Sequence, residues 1–351
     1  METKIWEVDK SVDNLPTFPQ IMEAARWLQK NEVVAFPTET VYGLGANAKS
    51  DEAVTKIFEA KGRPSDNPLI IHISDQREVE QYVEEIPEVA TKLMHSFWPG
   101  PLTIILRKKE GILSDRATAG LSTVAMRMPD HPIALALIRA SGLPLAAPSA
   151  NISGKPSPTK FQHVLNDMNG KIAGIIDGGN TGVGVESTVI DCTGSTPMIL
   201  RPGGITKEEI EKVIGTVSTD PALHSKDERP KSPGMKYTHY APKAPVILVD
   251  GSISFMQQMI DRYHSEGKKV GVLTTEEHSD LFHADVLITC GKRTDLSTVA
   301  NHLYESLRAF DDTEVDIILS ETFPTRGIGE AIMNRLKKSA GYHILKESQA
   351  D

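Results

Sequence analysis

Two cysteines, Cys192 and Cys290, stand far apart in a chain of 351 residues. They allow neither a disulfide framework nor a paired-cysteine metal clamp, which fits a reducing compartment. No apolar run approaches the ~20 residues a helix needs to cross a bilayer. The opening Met1-Glu2-Thr3-Lys4-Ile5-Trp6-Glu7 lacks the basic-then-apolar form of a secretory signal. A cytoplasmic chain with no membrane partner is therefore expected. Positive charge is also in deficit. The 38 Lys and Arg against 47 Asp and Glu give a net charge of −9. That argues against a chain built around a large basic face for nucleic acid, while leaving room for a local cationic patch.

Several catalytic signatures are missing as well. There is no Gly-x-x-x-x-Gly-Lys-Ser/Thr loop; Ser153-Gly154-Lys155-Pro156 resembles only its tail, and Pro156 stands where the helix-borne hydroxyl would be. His-Glu-x-x-His and Gly-x-Ser-x-Gly are absent, and the eleven histidines are scattered. Gly327-Ile328-Gly329 lacks the third glycine of a dinucleotide turn and comes at the end of its segment, so it reads as a helix start. A hydrolase with an activated nucleophile and a nicotinamide oxidoreductase both have little support.

What is present is the composition of a globular protein, 39% hydrophobic and 24% charged. At ~100–200 residues per domain, the length indicates two domains. Residues 1–205 alternate short β-branched runs with helical patterns. Residues 206–240 lose that regularity and read as a linker or lid. Residues 241–351 alternate continuous apolar strands with helices, the pattern of a small parallel α/β sheet. In the first segment, strands are expected at 33–36, 69–73, 102–106, 124–128, 145–147, 174–177, 187–191 and 199–200. So many strands with few helices predict an open, mixed, twisted sheet in an α/β arrangement.

Polar residues gather at strand ends and in Gly/Pro-rich loops. Lys61-Gly62-Arg63-Pro64 closes a helical run, and its two cations suit a polyphosphate. The plainer account is a cation pair favoured by the dipole of the helix C-terminus. As a loop side chain, Lys61 is expected to add little packing, so that Lys61→Ala would spare the fold. Pro148-Ser149-Ala150-Asn151 offers hydroxyl, amide and backbone N–H groups to an anion, or makes a simple turn. Thr159 is placed to cap the next helix. Arg127 lies between Met126 and Met128; if those face the core, period-two alternation turns Arg127 to the other face. There an arginine fork grips a carboxylate or meets solvent. A lone strand histidine such as His72 is more often a satisfied core residue than a ligand. Together these groups describe phosphate and carboxylate grips without a nucleophile, as nucleotidyl transfer requires.

The ordered set is more specific than any member. Lys61-x-Arg63 followed by Ser149-x-Asn151 is similar to the Lys-x-Arg…Ser-x-Asn signature of the YrdC/YwlC family. In order come Pro37-Thr38-Glu39-Thr40-Val41-Tyr42-Gly43-Leu44, Asn67-Pro68-Leu69, Trp98-Pro99-Gly100-Pro101-Leu102-Thr103, Arg127-Met128-Pro129 and Glu186-Ser187-Thr188. Ser232-Pro233-Gly234-Met235-Lys236-Tyr237-Thr238-His239-Tyr240-Ala241-Pro242 resembles the linker of the two-domain form. The resemblance implies a YrdC-like twisted open sheet with a large concave face, followed by a small Rossmann-like domain.

It also implies synthesis of threonylcarbamoyl-AMP from L-threonine, bicarbonate or CO2, and ATP with Mg2+. The product would pass to a complex that modifies the adenosine beside the anticodon of tRNAs reading ANN codons. Carried over by motif, the threonine site would comprise Thr40, His72, Arg127, Ala147 and Ser187. The ATP site would comprise Lys61, Arg63, Asn67, Thr123, Ser149, Asn151, Ser157 and Arg201, with Tyr237 or Tyr240 closing over it. Lys61 and Arg63 would stabilise charge on the leaving pyrophosphate, and Mg2+ would be held mainly by the phosphates. The alternative is an RNA-binding or ribosome-maturation factor, for which weak tRNA or RNA contact through a cationic cavity would be the basis.

Overall fold

The alternating runs of the first segment assemble into one mixed sheet. The computed structural model describes residues 2–223 and 239–349. Among the described residues this sheet has eleven strands: β1 (Lys4–Glu7), β2 (Val34–Phe36), β3 (Gly43–Asn47), β4 (Ile70–His72), β5 (Leu102–Arg107), β6 (Thr123–Arg127), β7 (Leu145–Ala146), β8 (Gly174–Asp177), β9 (Thr188–Asp191), β10 (Met198–Arg201) and β11 (Ser218–Thr219). Their spatial order is β1-β8-β2-β3-β7-β4-β6-β5-β9-β10-β11. Parallel and antiparallel pairs mix: β4 runs parallel to β6, while β3 and β4 both run antiparallel to β7.

Alternation decides which side chains face which layer. Val124 and Met126 point into the main core with Ile71, Leu44 and Ile104. Ala125, between them, points the other way and joins Ile70, Ile105, Val189 and Leu200, a small apolar group drawn from strands only. The helices Pro19–Gln29 and Pro132–Ser141 cover another part of the sheet, packing Leu28 and Leu137 with Val34, Phe36 and Ile176.

Helices are more numerous than the sequence reading held. The spacing does not predict Glu88–Phe97, Pro132–Ser141 or Lys207–Ile214, whereas the helix expected after Pro158-Thr159 is found at Phe161–Met168. Thr159 caps nothing: the helix begins at Phe161, with Lys160 at the cap position and no side-chain cap bond. The linker reading from residue 206 is also corrected. Thr206 and Glu209 form a reciprocal capping box, and the helix they start buries Ile210 completely. Strand β11 then pairs with β10. Residues 206–223 therefore complete the first sheet and its core. The remainder of the expected lid, 224–238, lies outside the described residues.

By contacts, the chain divides into Met1–Ser153, Pro158–Gly182 and Glu186–Lys236 on one side, and Gly154–Ser157, Val183–Val185 and Tyr237–Asp351 on the other. The second unit holds β12 (Val246–Asp250), β13 (Val270–Thr274), β14 (Val286–Thr289), β15 (Ile317–Glu321) and β16 (Ile344–Lys346). All pairs are parallel, in the order β14-β13-β15-β12-β16. The helices Ile253–Ser265, Leu296–Ala309 and Ile328–Ser339 alternate with these strands. This is the small parallel α/β domain that the continuous apolar runs predict. No described helix is long and apolar enough to cross a membrane.

Candidate active site

Arg127 ends β6 beside His72, which ends β4; the two are partners in the parallel register. Met126 faces the core at 0% exposure, so Arg127 faces away from it, as the alternation argument requires. Arg127 is nevertheless buried, and its guanidinium is held from several sides. Nη2 donates to Glu39 Oε1 at 2.6 Å and to Thr40 Oγ1 at 3.1 Å, and Nε donates to the Gly100 carbonyl at 3.4 Å. The Thr40 hydroxyl lies 2.9 Å from that of Thr38, which donates to the Val41 carbonyl at 2.6 Å. The Pro37–Val41 turn is thus tied into one hydroxyl network around the arginine.

His72 is fully enclosed. Burial, and then the positive charge of Arg127, push its pKa down to about 3, so the ring is neutral at pH 7. Its Nδ1 lies 3.1 Å from the Ile70 carbonyl, and the Leu145 carbonyl also faces the ring.

A second hydroxyl centre forms across the strands. Ser187 Oγ and Thr103 Oγ1 share a hydrogen bond of 2.8 Å. Arg201 donates to the Ser187 carbonyl through Nε at 3.0 Å and Nη2 at 2.9 Å, and Nη2 reaches Ser187 Oγ at 3.1 Å. Simple alternation along β10 would place Arg201 on the face of Ile199, in the main core. The β9–β10 register shifts between Ile199 and Arg201 instead, so Arg201 pairs with Val189 on the opposite face. Gly203 follows, and an added Cβ there would sit 2.3 Å from the Glu186 carbonyl oxygen. Only glycine lets this turn close on the Glu186–Ser187 backbone.

The third centre surrounds Lys61. Its helix, Asp51–Lys61, starts at Ser50, whose hydroxyl accepts from the Ala53 N–H. It stops at Gly62, which takes a φ of 62°. Lys61 does not stand free on the surface. It is 3% exposed, and Nζ donates to the carbonyls of Ser149 at 2.6 Å and Asn151 at 2.7 Å. The expectation that it adds little to the fold is therefore corrected. The loop that it grips is tied to β3 by Ala150 N–H to Tyr42 O and Leu44 N–H to Pro148 O, both at 2.8 Å. Ala147 N–H bonds the Ile70 carbonyl at 2.9 Å, which fixes Ala147 next to β4. Asn67 is buried, whereas Arg63 and Thr123 are half-buried.

The remaining predicted site residues fall outside the first unit or outside the described residues. Ser157 and Tyr240 cluster with the second unit, where Tyr240 stacks on Tyr304 with ring centroids 5.2 Å apart. Tyr237 lies outside the described residues. The sequence reading missed Glu39 and Thr38 as single residues, although both stand inside a motif that it quoted. It also missed Thr103; a hydroxyl on the strand face opposite Leu102 and Ile104, the face that Arg127 shares, was the available signal.

The chemistry of these centres is recognition rather than covalent attack. Both thiols are buried and pushed up to about 12 by burial first, so neither is a nucleophile at neutral pH. Among the described residues no three His, Cys, Asp or Glu side chains gather as a metal cage. A buried arginine, a neutral histidine and several hydroxyls suit a small hydroxylated carboxylate. A lysine clamped to a loop of small polar residues suits phosphate oxygens.

Two family models match in succession. The Sua5/YciO/YrdC model, described as telomere recombination, covers residues 26–203, and the threonylcarbamoyl-AMP synthase C-terminal domain covers 205–341. The chain belongs to the Sua5/YciO/YrdC family. It is 59% identical to a threonylcarbamoyl-AMP synthase of Bacillus subtilis, over 99% of this chain and 100% of that one. It is 52% identical to that of Pyrococcus abyssi, over 93% and 96% respectively. Among solved structures, Sua5 of P. abyssi complexed with L-threonine superposes with a TM-score of 0.91 at 49% identity, over 98% and 99% of the two chains. YciO of Escherichia coli matches 57% of this chain with a TM-score of 0.52 at 26% identity. The two-domain resemblance and the fold class expected from it are therefore borne out.

Proposed function

We infer that this chain is a threonylcarbamoyl-AMP synthase, an enzyme that condenses L-threonine, bicarbonate or CO2, and ATP into threonylcarbamoyl-AMP and pyrophosphate. The observation that carries this reading is the His72–Arg127 register pair with Thr40 on the guanidinium. It sits in a chain whose Sua5 relative is complexed with L-threonine. Arg127 fixes the threonine carboxylate. The neutral His72 ring, Thr40 and Ser187 read the side-chain hydroxyl, and Ala147 contributes its backbone. A site built to bond a hydroxyl rejects an analogue lacking it by up to roughly 10⁴–10⁵-fold, far beyond what a methyl group allows.

The amine must lose its proton before it attacks CO2, and the resulting carbamate oxygen then attacks the α-phosphorus of ATP. ATP enters as its magnesium complex, with the metal belonging to the substrate. Lys61, Arg63, Asn67, Thr123, Ser149, Asn151 and Arg201 hold the nucleotide. Lys61 and Arg63 stabilise charge on pyrophosphate as the bond to phosphorus breaks. A tRNA threonylcarbamoyl-transfer complex consumes the product. Pyrophosphate release measured with and without each substrate tests the reading: release must require both threonine and bicarbonate. Release with ATP alone, or tight salt-sensitive RNA binding without any ATP turnover, would overturn it.

A further inference from the structure

The Arg127 grip carries a second charge that the assigned contacts do not use. Glu39 Oε1 accepts from Arg127 Nη2 at 2.6 Å, but Glu39 Oε2 is buried and has no hydrogen-bond partner among the described residues. A carboxylate has about four acceptor positions, and one bond leaves an enclosed oxygen expensively unsatisfied. Such a group is usually explained by a donor that comes from elsewhere.

The backbone at Glu39 is not free to turn away. Its carbonyl accepts from Gly182 N–H at 3.0 Å, and the flanking Thr38 and Thr40 are bonded to each other and to Val41. Glu39 is therefore held beside the guanidinium with one oxygen that meets no donor among the described residues.

A ligand that answers both charges must carry an anion for Arg127 and a cation within a few ångströms of it. In an α-amino acid the carboxylate and ammonium hang on one carbon, which is that spacing. Resting on the reading of Arg127 as the threonine carboxylate grip, we propose that Glu39 is a binding residue for the substrate amine, its Oε2 accepting a hydrogen bond from the α-ammonium of threonine. The Arg127–Glu39 pair then reads both ends of the zwitterion. Carboxylates without an α-amine are rejected at this point, because they leave Glu39 unpaired. The same bond orients the nitrogen that becomes the nucleophile.

Calorimetric titration of the full chain with L-threonine and with 3-hydroxybutanoate tests this. The second compound keeps the carboxylate, hydroxyl and methyl and lacks only the amine. Wild type should bind threonine at least tenfold more tightly. Glu39→Gln should weaken threonine at least tenfold and change 3-hydroxybutanoate by less than threefold, with Glu39→Asp recovering part of the loss. Equal weakening of both ligands by Glu39→Gln would mean that Glu39 only props Arg127, and the proposal would fall. Tighter threonine binding would mean that Glu39 competes with the substrate carboxylate, with the same result. Should Glu39→Gln fail to fold, the wild-type comparison decides: equal affinity for the two compounds overturns the proposal. Threonine binding with no effect at Glu39 leaves the synthase reading standing, whereas a wild type that binds no threonine sinks both.

Discussion

Arg201 reaches the carbonyl of Ser187 at 2.9 Å because a break in the β9–β10 register turns it onto the face of Val189. The guanidinium spans the Ser187 backbone and hydroxyl together, a task for a planar fork. Arg201→Lys keeps the charge and loses that geometry. Charge-assisted bonds of this kind contribute ~1.5–3 kcal/mol each, so kcat/KM for threonine should fall ~10–100-fold. Steady-state kinetics check this, with the melting temperature as control; unchanged kinetics would remove Arg201 from the positioning of Ser187.

Lys61 ties its helix to the 149–151 loop, so its removal has two consequences. Lys61→Ala leaves the buried Asn151 carbonyl and the half-buried Ser149 carbonyl without their cation, and should cost about 2–3 kcal/mol of stability. Turnover with ATP should fall as well. Urea titration beside pyrophosphate-release kinetics separates the two effects. A variant as stable as wild type would show that the loop carbonyls find water at no cost.

Two buried histidines set the acid sensitivity of the first unit. Burial and the Arg127 charge take His72 down to about 3, and burial takes His131 down to about 4, against an ordinary value of 6.5. Below pH 6.5 the unfolded chain takes up protons that the native rings refuse. This contribution to stability is complete above pH 6.5 and drains away as pH falls towards 4, at about 1 kcal/mol per pH unit for each ring. Unfolding free energies measured between pH 7 and 4 should show this slope, and His131→Gln should flatten it. A wild-type slope of zero would mean that the rings protonate in the native state.

Ile210 is completely buried on the helix Lys207–Ile214, which packs against Glu88–Phe97. Ile210→Ala should cost ~2–5 kcal/mol through the lost transfer free energy and the cavity left behind. By the same logic, a chain cut after Gly204 should be much less stable than one cut after Leu223. Equal melting temperatures for the two truncations would return residues 206–223 to the linker.

Much of this was legible in order and spacing. Val124-Ala125-Met126-Arg127 alternates because a pleated strand sends successive side chains to opposite faces, and this alone sent Arg127 away from the core. The continuous apolar runs from Val246 to Leu319 foretold a parallel sheet covered on both faces. Strand β3 escaped notice because Gly43-Leu44-Gly45 lacks the branched side chains that mark strands; its glycines pack instead against the ring of Phe36 on the neighbouring antiparallel strand β2.

By itself, the sequence determined the faces on which Val124 to Arg127 fall, the helix end at Gly62, and the chemical character of the polar groups, because these follow from local backbone geometry. Only the tertiary structure decided that Arg201 crosses to the Val189 face, that Lys61 spends its charge on two loop carbonyls, and that Glu39 lies against Arg127, 88 residues along the chain. Those outcomes depend on register shifts and long-range packing, where the energy of a contact belongs to neighbours that no sequence window contains.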